Sequence, residues 1–274
     1  MQVAVTHVTR FAFREPVRHS IHDVRLTPRP GEGQRVLSWR LRGSGRRADW
    51  TDGHGNGVST FSVTGAHGEV VIVAEGVYAW EGDAAWLRYP DQDTLPPIYW
   101  LRNGGLARHD STLDAAIADF AGRAGDAGAR VPLLHDLMRR VGELVRYRAG
   151  VSDVETTALD ALRRGEGVRQ DQAHVFIACC RRLGIPARYV SGYHYVEGAP
   201  PDAGSSNAWA EAHVDGLGWV GFDPVDRQSP AGEYLKLAIG LDYAEAAPVT
   251  GRRVGATAGA ESTMSVSVTL RRVD

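Results

Sequence analysis

The stretch GEGVRQDQAHVFIACCRRLGIPARYVSGYHY, from Gly165 to Tyr195, has the order of elements found in many active sites: a glycine-rich approach, a helix and a strand. The start of such a helix favours a thiolate, because the helix dipole and the open N–H groups stabilise negative charge. Arg169 occupies this position. A guanidinium stays protonated and is no nucleophile, so the pattern indicates an active-site frame without its reactive group.

The two cysteines are poor replacements for a nucleophile. Cys179 and Cys180 lie ten and eleven residues beyond Arg169, about 15 Å along a helix that rises ~1.5 Å per residue. Both follow the apolar run VFIA, so we expect them to be core residues. Adjacent cysteines on one helix seldom form a disulfide, and none is expected here.

Residues of metal-ligand type occur beyond this helix. Four residues alternate onto one face of a predicted strand: Asn207, Trp209, Glu211 and His213. Ligand type alone would allow a metal site of His194, His213 and Glu211, but the spacing is loose, so we predict no metal and no cofactor. Asp171 and His174 share a helix face, and we expect them to form structural hydrogen bonds.

The composition of the 274-residue chain restricts its function. Hydrophobic residues make up 43% and charged residues 23%, and the formal net charge is −2. Such a balance gives no electrostatic reason to bind nucleic acid or an anionic membrane. The first residues alternate like a strand and lack the pattern of a signal peptide, and no run approaches the ~18 apolar residues of a membrane span. We therefore expect a cytoplasmic protein.

Residue patterns divide the chain into four parts. Residues 1–95 alternate with regular turn signals, which predicts an antiparallel β domain resembling a sandwich or small barrel. Residues 96–130 are predicted to contain a linker, which begins in the proline-rich stretch 89–100, and a first helix. Residues 131–250 are predicted to form an α+β core. The tail, residues 251–274, alternates again and should return to pair with the N-terminal β region.

Within these parts, periodicity predicts individual elements. Helices are expected over 111–124, 131–147, 157–165 and 170–183, and strands over 187–195, 206–214 and 218–222.

Two motifs, GEGVRQDQAHVFIACCRRLGIPARYVSGY and SSNAWAEAHVDGLGWVGFDPVD, resemble the core of bacterial transglutaminase-like proteins. The stretches 23–41, 52–61 and 238–251 resemble the flanking regions of one bacterial branch, so the likeness covers nearly the whole chain. The resemblance implies a papain-like α+β core preceded by an antiparallel β domain. It also implies a Cys-His-Asp catalytic triad.

The family's motifs align residue by residue with this chain. The family has Gly-Val-Cys-Gln-Asp where this chain has Arg169 in place of the cysteine, and Ser-His-Ala-Trp where it has Asn207 in place of the histidine. The third member is retained as Asp223. Asparagine does not titrate and cannot carry protons, so losing both residues leaves no acyl-transfer route by this mechanism.

The altered site suggests two roles for Arg169. One is an internal contact with Asp223 that fills the old site, with Asn207 as a candidate bridge. The other is an anion site, since a guanidinium binds carboxylates and phosphates through two hydrogen bonds. The candidate ligand groove consists of Arg169, Gln170, Asp171, Asn207, Trp209 and Asp223.

We interpret the sequence as that of a pseudoenzyme with a peptide- or protein-binding groove. Related bacterial proteins occur beside ATP-grasp-like and helical proteins, which the resemblance implies as partners in a peptide-modifying system. One alternative is an active protease, amidase or acyl-transfer enzyme that works without cysteine. Another is a structural oligomer built through the β domain.

Overall fold

The structure is a computed structural model that describes residues 1–29, 31, 34–80, 88–89, 95–200, 206–255 and 262–274. Its strands are β1 (Gln2–Val24), β2 (Gln34–Gly43), β3 (Arg46–Thr51), β4 (Gly57–Trp80), β5 (Arg88–Tyr89), β6 (Arg146–Tyr147), β7 (Glu166–Gly167), β8 (Ala187–His194), β9 (Ser206–Val214), β10 (Gly218–Phe222), β11 (Tyr234–Gly240), β12 (Val249–Val254) and β13 (Ser262–Arg272). Its helices are α1 (Asp114–Ala121), α2 (Arg130–Leu144), α3 (Ala158–Arg164), α4 (Arg169–Arg182) and α5 (Tyr243–Ala246). Antiparallel sheets combined with helices confirm the predicted α+β class.

Two long strands, β1 and β4, organise the N-terminal sheet. This sheet has six strands in the order β12-β1-β4-β2, with β13 also paired to β1 and β3 to β4. The strands expected as a sandwich or small barrel are therefore hydrogen-bonded into one sheet. The tail returns to it as the alternation predicts, with β13 in register from Val3↔Arg272 to Phe13↔Ser262.

The second sheet carries the site and has the order β11-β8-β9-β10-β5. Helix α4 packs on β8 and β9 through a large apolar core, while Tyr193, Leu235 and Leu237 pack against the N-terminal sheet. Because both faces are covered, β8 and β11 are buried along nearly their whole length. A sheet held on both sides is a rigid support for side chains at its edge.

Helix α4 begins at Arg169, one residue before the predicted start. The Asp171 carboxylate accepts hydrogen bonds from the Val168 N–H at 2.7 Å and from the Ser152 hydroxyl at 2.5 Å, which fixes the first turn. Val168 at the N-cap has no side-chain acceptor, so the first-turn N–H groups have no side-chain cap. Gly184, with φ of 74°, ends the helix in the left-handed region that glycine adopts readily.

The structure corrects the sequence analysis at two elements. β11 was not predicted, because Lys236 interrupts its apolar pattern; Lys236 is nevertheless buried and pairs with Glu211 at 2.7 Å. In the predicted linker, residues Pro97–Leu101 form a 3-10 helix and Trp100 is fully buried. Residues 90–94 of that linker lie outside the described residues. No helix within the described ranges has the length and apolar character to cross a membrane.

Candidate functional site

Arg169 is the first residue of α4, and its guanidinium points at two carboxylates. Its Nη1 donates to Asp226 Oδ2 at 2.8 Å, and its Nη2 donates to Asp226 Oδ1 at 3.1 Å. The same Nη1 lies 3.3 Å from Asp223 Oδ2, which is the internal contact predicted from the sequence. The side chain is 27% exposed, so this ion pair is shielded but still reached by water.

The two carboxylates, hereafter the aspartate pair, are held by a tight loop. Asp223 and Gln228 form an antiparallel bridge, and Asp223 Oδ1 accepts from the Val225 and Asp226 N–H groups at 2.9 and 3.2 Å. Arg227 completes the loop with φ of 56°, a left-handed conformation that is uncommon outside glycine. This loop therefore directs the carboxylates of Asp223 and Asp226 at the same atom, Arg169 Nη1.

Electrostatics differ between the members of the aspartate pair. Burial and the charge of Asp226 raise the pKa of Asp223, and Arg169 offsets this only in part. Burial also disfavours the charged form of Asp226, but the hydrogen bonds from His194 and Arg169 outweigh burial, so the pKa of Asp226 is lowered. Burial also opposes the charge of Arg169, yet the hydrogen bond to Asp226 and the charges of the aspartate pair raise its pKa. Arg169 and Asp226 therefore form the charged ion pair of the site.

His194 and Tyr234 complete the polar cluster. His194 Nδ1 lies 3.1 Å from Asp226 Oδ2, and its ring stacks on Tyr234 with centroids 3.9 Å apart. The Tyr234 hydroxyl donates to Asp223 Oδ2 at 3.0 Å. Donor atoms of His194 and the aspartate pair lie within 4.8 Å of one another, a spacing that suits a metal ion. The Arg169 guanidinium, bonded to both carboxylates, supplies a positive charge there instead.

Asn207 stands apart from this cluster. Its Oδ1 accepts from the Ala208 N–H at 2.7 Å, while its Nδ2 has no hydrogen-bond partner among the described residues. The residue is 4% exposed. Asn207 therefore does not bridge Arg169 and Asp223, contrary to the expectation from the sequence.

Two cavities flank the ion pair. The smaller, about 240 Å³, is lined by Arg169, Gln170, Asn207 and several aromatic and small residues. The larger, about 750 Å³, is lined by His194, Asp226, Gln228 and other residues. Since Arg169 lines one cavity and its partner Asp226 lines the other, the ion pair lies between them.

The remaining predicted groove residues are buried. Asp171, Trp209 and Asp223 are completely buried, so of the six predicted groove residues Arg169, Gln170 and Asn207 line the smaller cavity. Trp209 supports the site from behind, with its ring edge-on to Tyr234 at 5.3 Å.

The residues considered as metal ligands have other contacts. Glu211 pairs with Arg188 and Lys236, His213 lies 3.6 Å from Asp215, and His194 belongs to the site. His174 has the expected structural role: its Nε2 accepts from the Tyr243 N–H at 3.1 Å.

The cysteines are core residues. Both are completely buried, and burial raises the pKa of Cys179 to about 12 and that of Cys180 well above its usual range. A thiol in that state does not supply a thiolate at neutral pH.

Sequence reasoning missed three site residues, namely Asp226, His194 as a partner of Asp226, and Tyr234. A signal for Asp226 was present in the motif DPVD: aspartate often accepts hydrogen bonds from N–H groups two and three residues on, which curls the chain into a turn. Tyr234 lies on the strand that was not predicted. No local pattern joins it to Asp223.

Comparison with known proteins agrees with this architecture. Residues 3–78 match the bacterial transglutaminase-like N-terminal region, and residues 114–224 match the transglutaminase-like superfamily core. An uncharacterized protein of Mycobacterium leprae, ML0607, is 28% identical and aligns over 91% of this chain and 92% of its own. An uncharacterized protein of Mycobacterium bovis, Mb2599c, is 30% identical over 90% and 86% of the two chains.

A solved structure shares the fold. A Cytophaga hutchinsonii protein, provisionally named a cysteine protease, superposes with a TM-score of 0.77 at 21% identity, covering this whole chain and 92% of its own. The fold and the two matched regions define a papain-like core behind an N-terminal β domain. The chain belongs to the bacterial transglutaminase-like proteins.

Proposed function

We propose that this transglutaminase-like protein is a pseudoenzyme that binds a peptide or a protein segment beside its former active site. The observation that carries this proposal is Arg169 at the nucleophile position, held by Asp226 at 2.8 and 3.1 Å. A guanidinium in that position stays protonated at neutral pH, so it neither attacks a carbonyl nor acts as a base.

The other former triad positions support the proposal. Asn207 replaces the general base and has no titratable group. Asp223 remains, but Tyr234 and Arg169 are its polar side-chain partners instead of a triad histidine. Cavities on both sides of the ion pair leave room for a ligand. Such a protein would act as a cytoplasmic binding or scaffolding subunit, with ATP-grasp-like or helical proteins as candidate partners.

An activity assay tests the loss of chemistry. We expect no hydrolysis or transamidation by the natural chain across a panel of peptides and isopeptides. The double variant Arg169→Cys with Asn207→His should gain turnover that iodoacetamide abolishes. The matched control, Arg169→Ser with Asn207→His, should gain none that is sensitive to iodoacetamide, because it lacks the thiolate. Turnover by the natural chain that a single substitution at Arg169 abolishes would contradict the proposal.

One observation favours a second candidate, an enzyme that works without cysteine. His194 and Asp226 form a histidine–carboxylate pair beside the larger cavity. In hydrolases such a carboxylate orients the imidazole, whose other nitrogen accepts a proton. Here Asp226 would hold the Nδ1–H, and Nε2 would accept a proton from a water that attacks an amide carbonyl. The same Nε2 would return that proton to the leaving nitrogen as the C–N bond breaks.

The His194→Gln variant separates the two candidates. If His194 is a general base, the natural chain should hydrolyse a peptide or amide substrate and the variant should lose about 10²–10⁴-fold in rate. If the protein is a pseudoenzyme, neither should turn over, while binding to the former active-site groove persists in both.

A further inference from the structure

We propose that the smaller cavity, over the start of α4, binds a carboxylate of a peptide ligand. The inference rests on the proposed binding function and names the chemical group that is recognised. The carboxylate is either the C-terminus of the ligand or an aspartate or glutamate side chain.

The first support is an unpartnered donor. Asn207 lines the cavity, is 4% exposed, and its Nδ2 has no acceptor among the described residues. A buried N–H group without an acceptor is destabilising, so buried polar groups nearly always have a hydrogen-bond partner. Its Oδ1 is already bonded to the Ala208 N–H, which leaves the amide nitrogen as the group that lacks a partner.

The second support is the start of a 14-residue helix, where Asp171 accepts from the Val168 N–H but no side chain caps the N–H groups that follow. Val168 at the N-cap offers no side-chain acceptor, so no side chain caps the N–H groups of the first turn. Val168 and Arg169 both line the cavity. Helix N-termini bind anions because these N–H groups and the helix dipole both favour negative charge.

The third support is the kind of polar groups in the lining. No acidic side chain is among the described residues that line this cavity, and Arg169 is the charged residue there. Its Nη1 and Nη2 each donate to Asp226, while no hydrogen bond to a described residue uses Nε. The lining is therefore rich in donors, which is the environment that suits a carboxylate.

The cavity volume limits the ligand. About 240 Å³ is below the about 300–1,000 Å³ typical of cavities that enclose drug-sized molecules. The cavity accordingly accepts a single residue of the ligand. Tyr147, Tyr189 and Tyr243 supply aromatic walls for the aliphatic part of that residue.

Four capped tetrapeptides test the proposal. Ac-Ala-Ala-Ala-Glu-NH₂ and Ac-Ala-Ala-Ala-Ala-OH carry a side-chain and a terminal carboxylate, and Ac-Ala-Ala-Ala-Gln-NH₂ and Ac-Ala-Ala-Ala-Ala-NH₂ are their neutral controls. Titration into the ¹⁵N-labelled full chain, followed by NMR, reports both affinity and the Asn207 side-chain amide signal. We expect at least one acidic peptide to bind at least tenfold more tightly than its control and to shift that signal.

Variants assign the contact. Asn207→Ala removes the donor, and a hydrogen bond to a charged group contributes about 1.5–3 kcal/mol, so binding should weaken by about 10- to 150-fold. Asn207→Asp keeps the shape but adds a negative charge, and should weaken binding at least as much. Asn103→Ala changes an exposed asparagine that does not line the cavity and should leave affinity unchanged.

Each outcome decides the proposal. Equal binding of acidic and neutral peptides overturns carboxylate recognition but leaves the proposed binding function intact. Absence of binding by all four overturns carboxylate recognition, whereas the activity assays test the loss of catalysis independently. Unchanged affinity in Asn207→Asp, with the fold verified from its NMR spectrum, overturns the assignment to Asn207.

Discussion

Replacing Arg169 by glutamine removes the cation that the aspartate pair surrounds. In the natural chain the Arg169 guanidinium makes two hydrogen bonds to Asp226 and one to Asp223. Glutamine reaches a similar distance but carries no charge, so the variant retains two adjacent carboxylates with no counterion from α4. We expect a less stable protein whose loss of stability depends on pH.

The structure sets the size of this loss. Breaking a fully buried ion pair by removing one partner costs about 3–5 kcal/mol, because the remaining charge stays buried. Here the two side chains are 27% and 26% exposed, so water compensates in part. Removing a cation from a helix N-terminus also stabilises the fold by about 0.3–1 kcal/mol, because the helix dipole disfavours positive charge there. The expected net loss is about 2–3 kcal/mol, or roughly 4–12 °C in Tm at 2–4 °C per kcal/mol.

The pKa of Asp226 sets the direction of the pH dependence. Because its pKa is lowered in the folded protein, Asp226 contributes stability that is fully present above its unfolded pKa of about 3.9. That contribution is lost as the pH falls through the folded pKa. Arg169→Gln removes much of this contribution, so its effect should be largest at pH 7 and smaller below about pH 4.

Thermal unfolding at pH 7 and at pH 2.5, well below the unfolded pKa of Asp226, measures the effect. Arg139→Gln is a matched control, because it breaks the exposed ion pair with Asp136 on α2, and such pairs contribute about 0–1 kcal/mol. If Arg169→Gln loses no more stability than this control, or loses the same amount at both pH values, the ion pair does not hold the site together.

Two further substitutions probe the charged groups. Glu211→Gln should lower the free energy of unfolding, measured in urea, by about 3–5 kcal/mol, because it leaves the buried cations Lys236 and Arg188 without their shared carboxylate. The triple variant that adds Lys236→Met and Arg188→Met should recover part of that loss. Arg169→Ala should create a divalent-metal site from His194 and the aspartate pair, so Zn²⁺ should raise the Tm of that variant and leave that of the natural chain unchanged.

Local patterns predicted much of the fold. Helix α4 begins at Arg169, one residue before the predicted range, and β9 spans Ser206–Val214 as expected, because alternation and helical spacing are properties of short segments. β11 was missed because its pattern contains Lys236, whose burial depends on Glu211 from another strand. Burial lowers the pKa of Lys236, but contacts of 2.7 and 2.9 Å to both carboxylate oxygens are those of a charged pair.

The site was predictable where one residue directly replaces another in a known motif. Arg169 and Asp223 were paired from charge and position, and the structure places them 3.3 Å apart. The main partner, Asp226, was missed because its position depends on a loop conformation that includes the left-handed Arg227. His194 was missed as its partner because that contact joins a strand to a loop 32 residues later.

The geometry also implies that Arg169 and Asp226 depend on each other. Asp223 alone is a weak counterion, since burial and the neighbouring Asp226 raise its pKa. Asp226 therefore neutralises the guanidinium in this chain, but it would oppose a thiolate at the same helix position. In the Arg169→Cys, Asn207→His variant, we expect Asp226 to raise the pKa of the new thiol.

Adding Asp226→Asn to that double variant tests this dependence. The added substitution should lower the pKa of the thiol at position 169 by about 1 unit. At any pH below that pKa the thiolate fraction then rises roughly tenfold, so the turnover of the variant should be faster. The rate of iodoacetamide alkylation against pH gives the thiol pKa directly. In the natural chain the same substitution should instead destabilise the protein, because it removes the principal counterion of Arg169. If Asp226→Asn changed neither the thiol pKa nor the stability of the natural chain, Asp226 would not be the compensating residue. If both effects are seen, a cysteine restored at position 169 will work best only when the acid at position 226 is also removed.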